Sequence, residues 1–243
     1  MKWIYLSPHF DDIALSCGGL VWEQVMSGDK VSIWTICAGK PPPGPFSSYA
    51  QSIHERWETS LEPVAVRRAE DLLSCQRMGA NPQYLSILDA IYRRSPIDGS
   101  PLYTSESELF GNMRQEETGL VGTLREELYK ALPKDSQLVC PMALGGHVDH
   151  RLVRSAAEGL SERMWYYADY PYIGQIGVSK LMINPKMRKK IFPVSEAGLE
   201  VWVEAVAAHD SQISTFWSDL DQVREAIRSY WEPFKGVRLW QEY

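Results

Sequence analysis

Three of the five histidines in this 243-residue chain fall in two short polar segments. The first reads Pro8-His9-Phe10-Asp11-Asp12 and the second Gly146-His147-Val148-Asp149-His150. Residues three apart on the first turn of a helix share a face. His9 and Asp12 can therefore converge on one point, as can His147 and His150, while Asp11 points elsewhere and is free for a second role. Two imidazoles and a carboxylate with an open position suit a divalent metal, which would bring the pKa of a bound water to about 7. A further carboxylate could take that water's proton and later deliver it. A further imidazole could stabilise an oxyanion. One His-x-x-Asp pair alone is more often a helix cap. Two clusters, each after an apolar run, argue for a site.

The elements around them must bring the segments together. Trp3–Ser7 reads as a buried strand, Ile13–Met26 as a helix stopped by Ser27-Gly28-Asp29, and Lys30–Ala38 as a second strand, which together make a βαβ start. Residues 39–50, rich in Pro, Gly and Ser, form a loop. Pro63–Met78 is a helix ended by Gly79. Tyr84–Tyr92 reads as a strand, 93–102 as loop, and Glu106–Leu132 as one helix or two broken near Gly119. Gln137–Met142 is a strand, His150–Leu160 a helix and Met164–Tyr170 an aromatic strand. Lys180–Val194 suits a hairpin, Ser195–Ala208 and Asp219–Tyr230 are amphipathic helices, and Val237–Trp240 is a last strand. The alternation indicates an α/β fold with a mostly parallel sheet in a single domain, 1–243. In such sheets, sites form beyond the carboxyl ends of strands, where both polar clusters lie.

Composition narrows the field. The formal charge of -6 gives no electrostatic footprint for nucleic acid. Lys186, Arg188, Lys189 and Lys190 form one basic cluster, which suits a solvated turn between strands. No apolar run reaches the roughly 18 residues of a membrane span, and the N-terminus lacks a signal-peptide pattern. Cys17, Cys37, Cys75 and Cys140 sit in apolar segments without a CxxC pair, so they read as buried thiols in a cytoplasmic setting.

Taken together, these residues resemble the PIG-L/LmbE-like metal-dependent deacetylases. That family carries an N-terminal Pro/Ala-His-Pro-Asp-Asp-Glu segment and a later His-Pro-Asp-His. Arg67-Arg68-Ala69-Glu70 with Met78-Gly79 resembles a family helix, and Ala205–Gln212 resembles a downstream segment containing His209. Phe10 and Ile13 depart from the pattern, which touches substrate identity more than activity. The resemblance implies a Rossmann-like three-layer sandwich. It implies His9, Asp12 and His150 as metal ligands, Asp11 as general base and then acid, and His147 as oxyanion donor with Asp149 holding its ring. Arg67, Asp89 and His209 become candidates for substrate contact. The metal implied is zinc, with iron(II) compatible with the same ligands. The substrate implied is an N-acetylated amino sugar or its conjugate.

The other readings are weaker. Arg67 could pair with Glu70 on a solvated helix face, Asp89 could cap a strand end, and His209 could be structural. His54 is expected at the surface. Trp57, Trp165 and Tyr167 could line a sugar site, though core packing explains most aromatics. Gly18-Gly19 and Gly145-Gly146 do not fit a dinucleotide fingerprint. A non-haem iron oxygenase would place His-x-Asp on an all-β fold. An amidase on a thiol conjugate or antibiotic, or a non-catalytic metal-containing sugar-binding domain, remain alternatives, and the aromatic content suits a homo-oligomer.

Overall fold

The computed structural model describes residues 1–59, 62–160, 164–176 and 186–242, apart from the side chains of 175 and 176. The strands are β1 (Lys2–Ser7), β2 (Lys30–Thr35), β3 (Asn81–Tyr84), β4 (Ser136–Pro141), β5 (Trp165–Tyr167), β6 (Met187–Pro193) and β7 (Gly236–Glu242). They form one seven-stranded sheet in the order β3-β2-β1-β4-β5-β7-β6. The pairs from β3 to β5 are parallel, and β7 joins β5 and β6 antiparallel. The helices are α1 (Asp12–Met26), α2 (Ser48–Arg56), α3 (Pro63–Met78), α4 (Glu106–Leu109), α5 (Thr118–Ala131), α6 (Val148–Ala157), α7 (Tyr172–Ile176), α8 (Glu196–Ala207), α9 (Asp210–Phe216) and α10 (Leu220–Trp231).

The period of two in β1 sorts its side chains into two cores. Trp3 and Tyr5 enter a layer with residues of α1, α3, α8 and α10, whereas Ile4 and Leu6 enter a layer with residues of α5 and α6. The result is a three-layer α/β/α sandwich with a mostly parallel sheet, as expected. Gly18 and Gly19 let α8 approach α1: a Cβ on Gly18 would stand 2.7 Å from the Trp202 ring. Trp202 is fully buried and donates its indole N–H to Ala14 O at 2.7 Å. A third apolar cluster, including Ala50, Ile53, Tyr92, Tyr103 and Val148, lies under the loops.

Several elements differ from the sequence reading. Tyr84–Tyr92 is not a strand: β3 ends at Tyr84, and Ala90–Tyr92 is a 3-10 turn capped by Asp89. This apolar run is buried by loop packing rather than by a ladder. The break in Glu106–Leu132 falls between α4 and α5, and Gly119 lies inside α5, because Arg114 and Glu117 organise a 3-10 turn just before it. α2 and α9 were not expected. Of the basic cluster only Lys186 lies in a turn: Arg188, Lys189 and Lys190 lie on β6, an edge strand whose charges discourage further pairing. The expected hairpin Lys180–Val194 lies outside the described residues over 180–185. No helix among the described residues is long and apolar enough to cross a membrane.

Candidate active site and metal centre

The connections diverge between β1 and β4, the switch point at which open α/β sheets build sites. Both polar segments leave the carboxyl ends of these adjacent parallel strands. After β1 the chain turns through Pro8–Asp11 into α1, whose first residue, Asp12, accepts the His9 backbone N–H at 2.7 Å. After β4 it turns through Ala143, Gly145 and Gly146, all at positive φ, and delivers His147 as N-cap of α6. The rings of His9, His147 and His150 thereby meet with centroids 4.8 to 5.5 Å apart.

Asp12 lies between two of these rings. Its carboxylate oxygens are 3.5 Å from His9 Nδ1 and 3.3 Å from His150 Nε2. The opposite nitrogen of each ring is held by a buried carboxylate. His9 Nε2 donates to Asp149 Oδ2 at 3.0 Å, and His150 Nδ1 donates to Asp169 Oδ1 at 2.6 Å. When neutral, each ring then keeps a bare nitrogen facing Asp12, the carboxylate–histidine arrangement typical of metal ligands. Burial works against charge on Asp12, yet His150 and His9 outweigh it and hold its carboxyl well below the usual range. Burial likewise opposes charge on His9 and His150, but Asp12 with Asp149 or Asp169 pushes both up, His150 to about 10.

His147 also offers a ligand atom, within 4.8 Å of those of His9 and His150. Its hydrogen bonding distinguishes it. Its Nδ1 accepts the backbone N–H of Asp149 at 3.2 Å, so the proton of the neutral ring sits on Nε2. Burial and the neighbouring His9 push its pKa well below the usual value. His147 is thus built as a neutral N–H donor. The Asp149 carboxylate does not hold this ring, contrary to expectation: it faces His9, the Ala90 N–H and Arg93. The i,i+2 spacing on a helix turns the two side chains apart.

The remaining candidates are placed as follows. Arg67 does not pair with Glu70. Its Nη2 donates to Asp11 Oδ1 at 3.0 Å, its Nη1 lies 3.7 Å from Asp89, and its guanidinium stacks 4.5 Å from the Trp57 ring. Glu70 instead accepts from Ser211. Asp89 caps its own turn through Ile91 and also lies 3.8 Å from His9 Nε2. His9, Asp11, Asp12, Arg67, Asp89 and His147 all face one cavity of about 420 Å³. Its outer wall includes Tyr49, Trp57, Phe110, Tyr172 and Phe216. His150 and Asp149 are buried and are not among its lining residues. His209 is buried and, among the described residues, has no hydrogen-bond partner on either ring nitrogen; burial pushes its pKa down to about 4. His54 is not at the surface: it bonds Tyr92 Oη at 2.7 Å beneath Phe46, because α2 folds over the loops. Trp165 and Tyr167 belong to the core. Asp169, Arg93 and Glu117 were missed by sequence reasoning. Only Asp169 carried a signal, lying two residues beyond an aromatic strand.

Comparison with known proteins gives a consistent result. Residues 4–160 match the PIG-L family, described as GlcNAc-PI de-N-acetylase. A 2'-N-acetylparomamine deacetylase of Niallia circulans is 31% identical over 186 residues, covering 70% of this chain and 66% of the relative. The corresponding Streptomyces fradiae protein is 31% identical over 182 residues, 71% of this chain and 58% of the relative. The chain thus spans about two thirds or less of these curated relatives. A teicoplanin deacetylase in a zinc-inhibited form shares the fold, with a TM-score of 0.84 at 23% identity over 99% of this chain and 97% of that one.

Proposed function

The chain belongs to the PIG-L family, and on that premise we propose that it is a metal-dependent hydrolase removing the N-acetyl group from an N-acetylated amino sugar or glycoconjugate. The observation that carries this reading is Asp12 held between two imidazoles whose outer nitrogens are tied to buried carboxylates, with Asp11 and His147 facing the same cavity. His9, Asp12 and His150 would hold the ion, and zinc fits this nitrogen and oxygen set, as iron(II) does. A divalent ion, when bound there, supplies Lewis acidity to the carbonyl and brings the pKa of water toward about 7.

The chain's own residues do the rest. Asp11 accepts the proton of the attacking water as the new C–O bond forms. Arg67 holds that carboxyl in place through its bond to Oδ1. His147 Nε2–H donates to the carbonyl oxygen as charge develops on it. Asp11 then returns its proton to the nitrogen as the C–N bond breaks, leaving acetate and a free amine. Asp89, with Arg67, faces the cavity where sugar hydroxyls would bind, whereas His209 is not among the residues that line it.

The 2'-N-acetylparomamine deacetylases make an N-acetylated antibiotic amino sugar the first substrate to try. The sheet takes strands from Lys2 to Glu242, which supports one catalytic domain over 1–243. Four buried free thiols support a cytoplasmic setting. The test is acetate release from a panel of N-acetylated amino sugars by chelator-treated protein, with and without added zinc. Zinc-dependent release is expected. Stoichiometric metal with no release from any member would overturn the reading in favour of a binding protein.

A further inference from the structure

On the Nε2 side of His9 lies a buried ion group whose cation comes from neither signature segment. Arg93, Asp149 and Glu117 are 6%, 0% and 3% exposed. Arg93 Nη1 pairs with Asp149 Oδ1 and donates to Leu88 O at 3.1 Å, while its Nε pairs with Glu117 Oε1. The other Glu117 oxygen accepts from Tyr103 Oη, whose ring lies 5.6 Å below the guanidinium. The two oxygens of Asp149 are therefore divided. Oδ1 is tied to Arg93, and Oδ2 accepts from His9 Nε2 and from the Ala90 N–H, each at 3.0 Å.

We propose that Arg93, held by Glu117, is a positioning residue of the metal centre: it turns Asp149 so that His9 keeps its proton on Nε2 and presents a bare Nδ1 toward Asp12. The proposal rests on reading His9, Asp12 and His150 as the metal ligands. A guanidinium suits the task because its planar fork can engage two carboxylates at a fixed angle, whereas a lysine reaches one at a time. A merely structural role would not need the charges, since apolar residues of similar volume often replace a buried ion group without loss of stability. His150 provides an internal control. Its partner Asp169 accepts from the Leu144 N–H at 2.8 Å and, among the described residues, pairs with no guanidinium. Changes at Arg93 should disturb one ligand and leave the other alone.

The experiment uses the full chain and its Arg93→Lys, Arg93→Met and Glu117→Gln variants. Zinc affinity is measured by competition with a chelating dye. In the zinc-loaded protein, long-range proton–nitrogen correlation spectra show which ring nitrogen of each histidine carries its proton. Loss of an outer partner of a ligand typically costs 10–100-fold in metal affinity. We expect a weakening of about that size for both Arg93 variants, a smaller one for Glu117→Gln, an altered His9 signal and an unchanged His150 signal. Should Arg93→Met fail to fold, Arg93→Lys and Glu117→Gln decide. Folded variants with wild-type zinc affinity and an unaltered His9 signal would overturn the proposal, as would a wild type that takes up no zinc. Zinc binding is read apart from turnover. Weakened zinc binding without deacetylation of any compound would sink the proposed function alone, and deacetylation with unchanged zinc affinity would sink the positioning role alone.

Discussion

Asp11 and Asp12 are adjacent in the chain and differ in their surroundings. Asp12 sits between two imidazoles, while Asp11 is tied to Arg67 and faces the cavity. Asp11→Asn should therefore keep wild-type metal content and lower turnover by about a hundred- to ten-thousand-fold, whereas His150→Ala should lose metal. Normal turnover in the first, or normal metal content in the second, would reverse the roles. Protons give a second test. Without metal, His9 is held well above its usual pKa and His150 at about 10, because their carboxylates outweigh burial. Metal uptake should therefore displace protons from these rings and weaken as pH falls. Calorimetry in buffers of different ionisation enthalpy detects them, and uptake that neither releases protons nor weakens in acid would count against imidazole ligands. The ligand candidates were legible because i,i+3 spacing after a buried strand is a local pattern. Arg93, Glu117 and Asp169 were not: each meets its partner across 19 to 56 residues of chain, where spacing carries no information.

The elements that aim these residues are themselves held by close packing. α1 carries Asp12 at its first position and rests on α8 through Gly18, Gly19 and Trp202. Gly18→Ala puts a methyl group 2.7 Å from Trp202 Cδ1, so the indole must move and strain its bond to Ala14 O. Overpacking of this kind costs roughly 1–3 kcal/mol. Urea unfolding should show that loss, and an unchanged midpoint would mean that the contact yields freely. These glycines were legible as unusual but not as a packing device, since their partner lies on a helix some 180 residues later. Long amphipathic helices were read to within a few residues, with Ser195 and Asp219 observed as the N-caps of α8 and α10. β3 was misread because Leu85–Tyr92 is apolar for a different reason: Leu85 and Ile87 pack in the layer with α5 and α6, while Leu88 and Ala90–Tyr92 fill the cluster beneath α2. The antiparallel partnering of β7 was hidden because strand order is a property of contacts far apart in sequence.

At the scale of the whole molecule, two buried groups outside the ligand set should shape stability against pH. Burial raises Asp71 to about 7, so the native state holds a proton there that the unfolded chain releases near 4. Its contribution is present in acid and is lost as pH rises through about 7. Burial lowers His209 to about 4, the opposite sign: its contribution is full above about 6.5 and is lost as pH falls through 4. Asp71→Asn should therefore gain stability over the parent at pH 8 and little at pH 4. His209→Gln should flatten the acid loss. Chemical denaturation across pH 4–8 gives both difference curves, and parallel curves for parent and variant would rule out the titration assigned to that group.

The charge set beneath the cavity rides on the ends of β1, β4 and β5, which the sheet holds rigid. The outer wall rides on other parts: Tyr49 on α2, Leu109 on α4 and Phe216 on α9. The mouth can therefore be recast by drift in three short helices and their loops while the machinery below is inherited intact. Such a division separates what shapes the entrance from what performs the chemistry proposed above, so a change of occupant would be written in surface segments rather than in the histidines and aspartates.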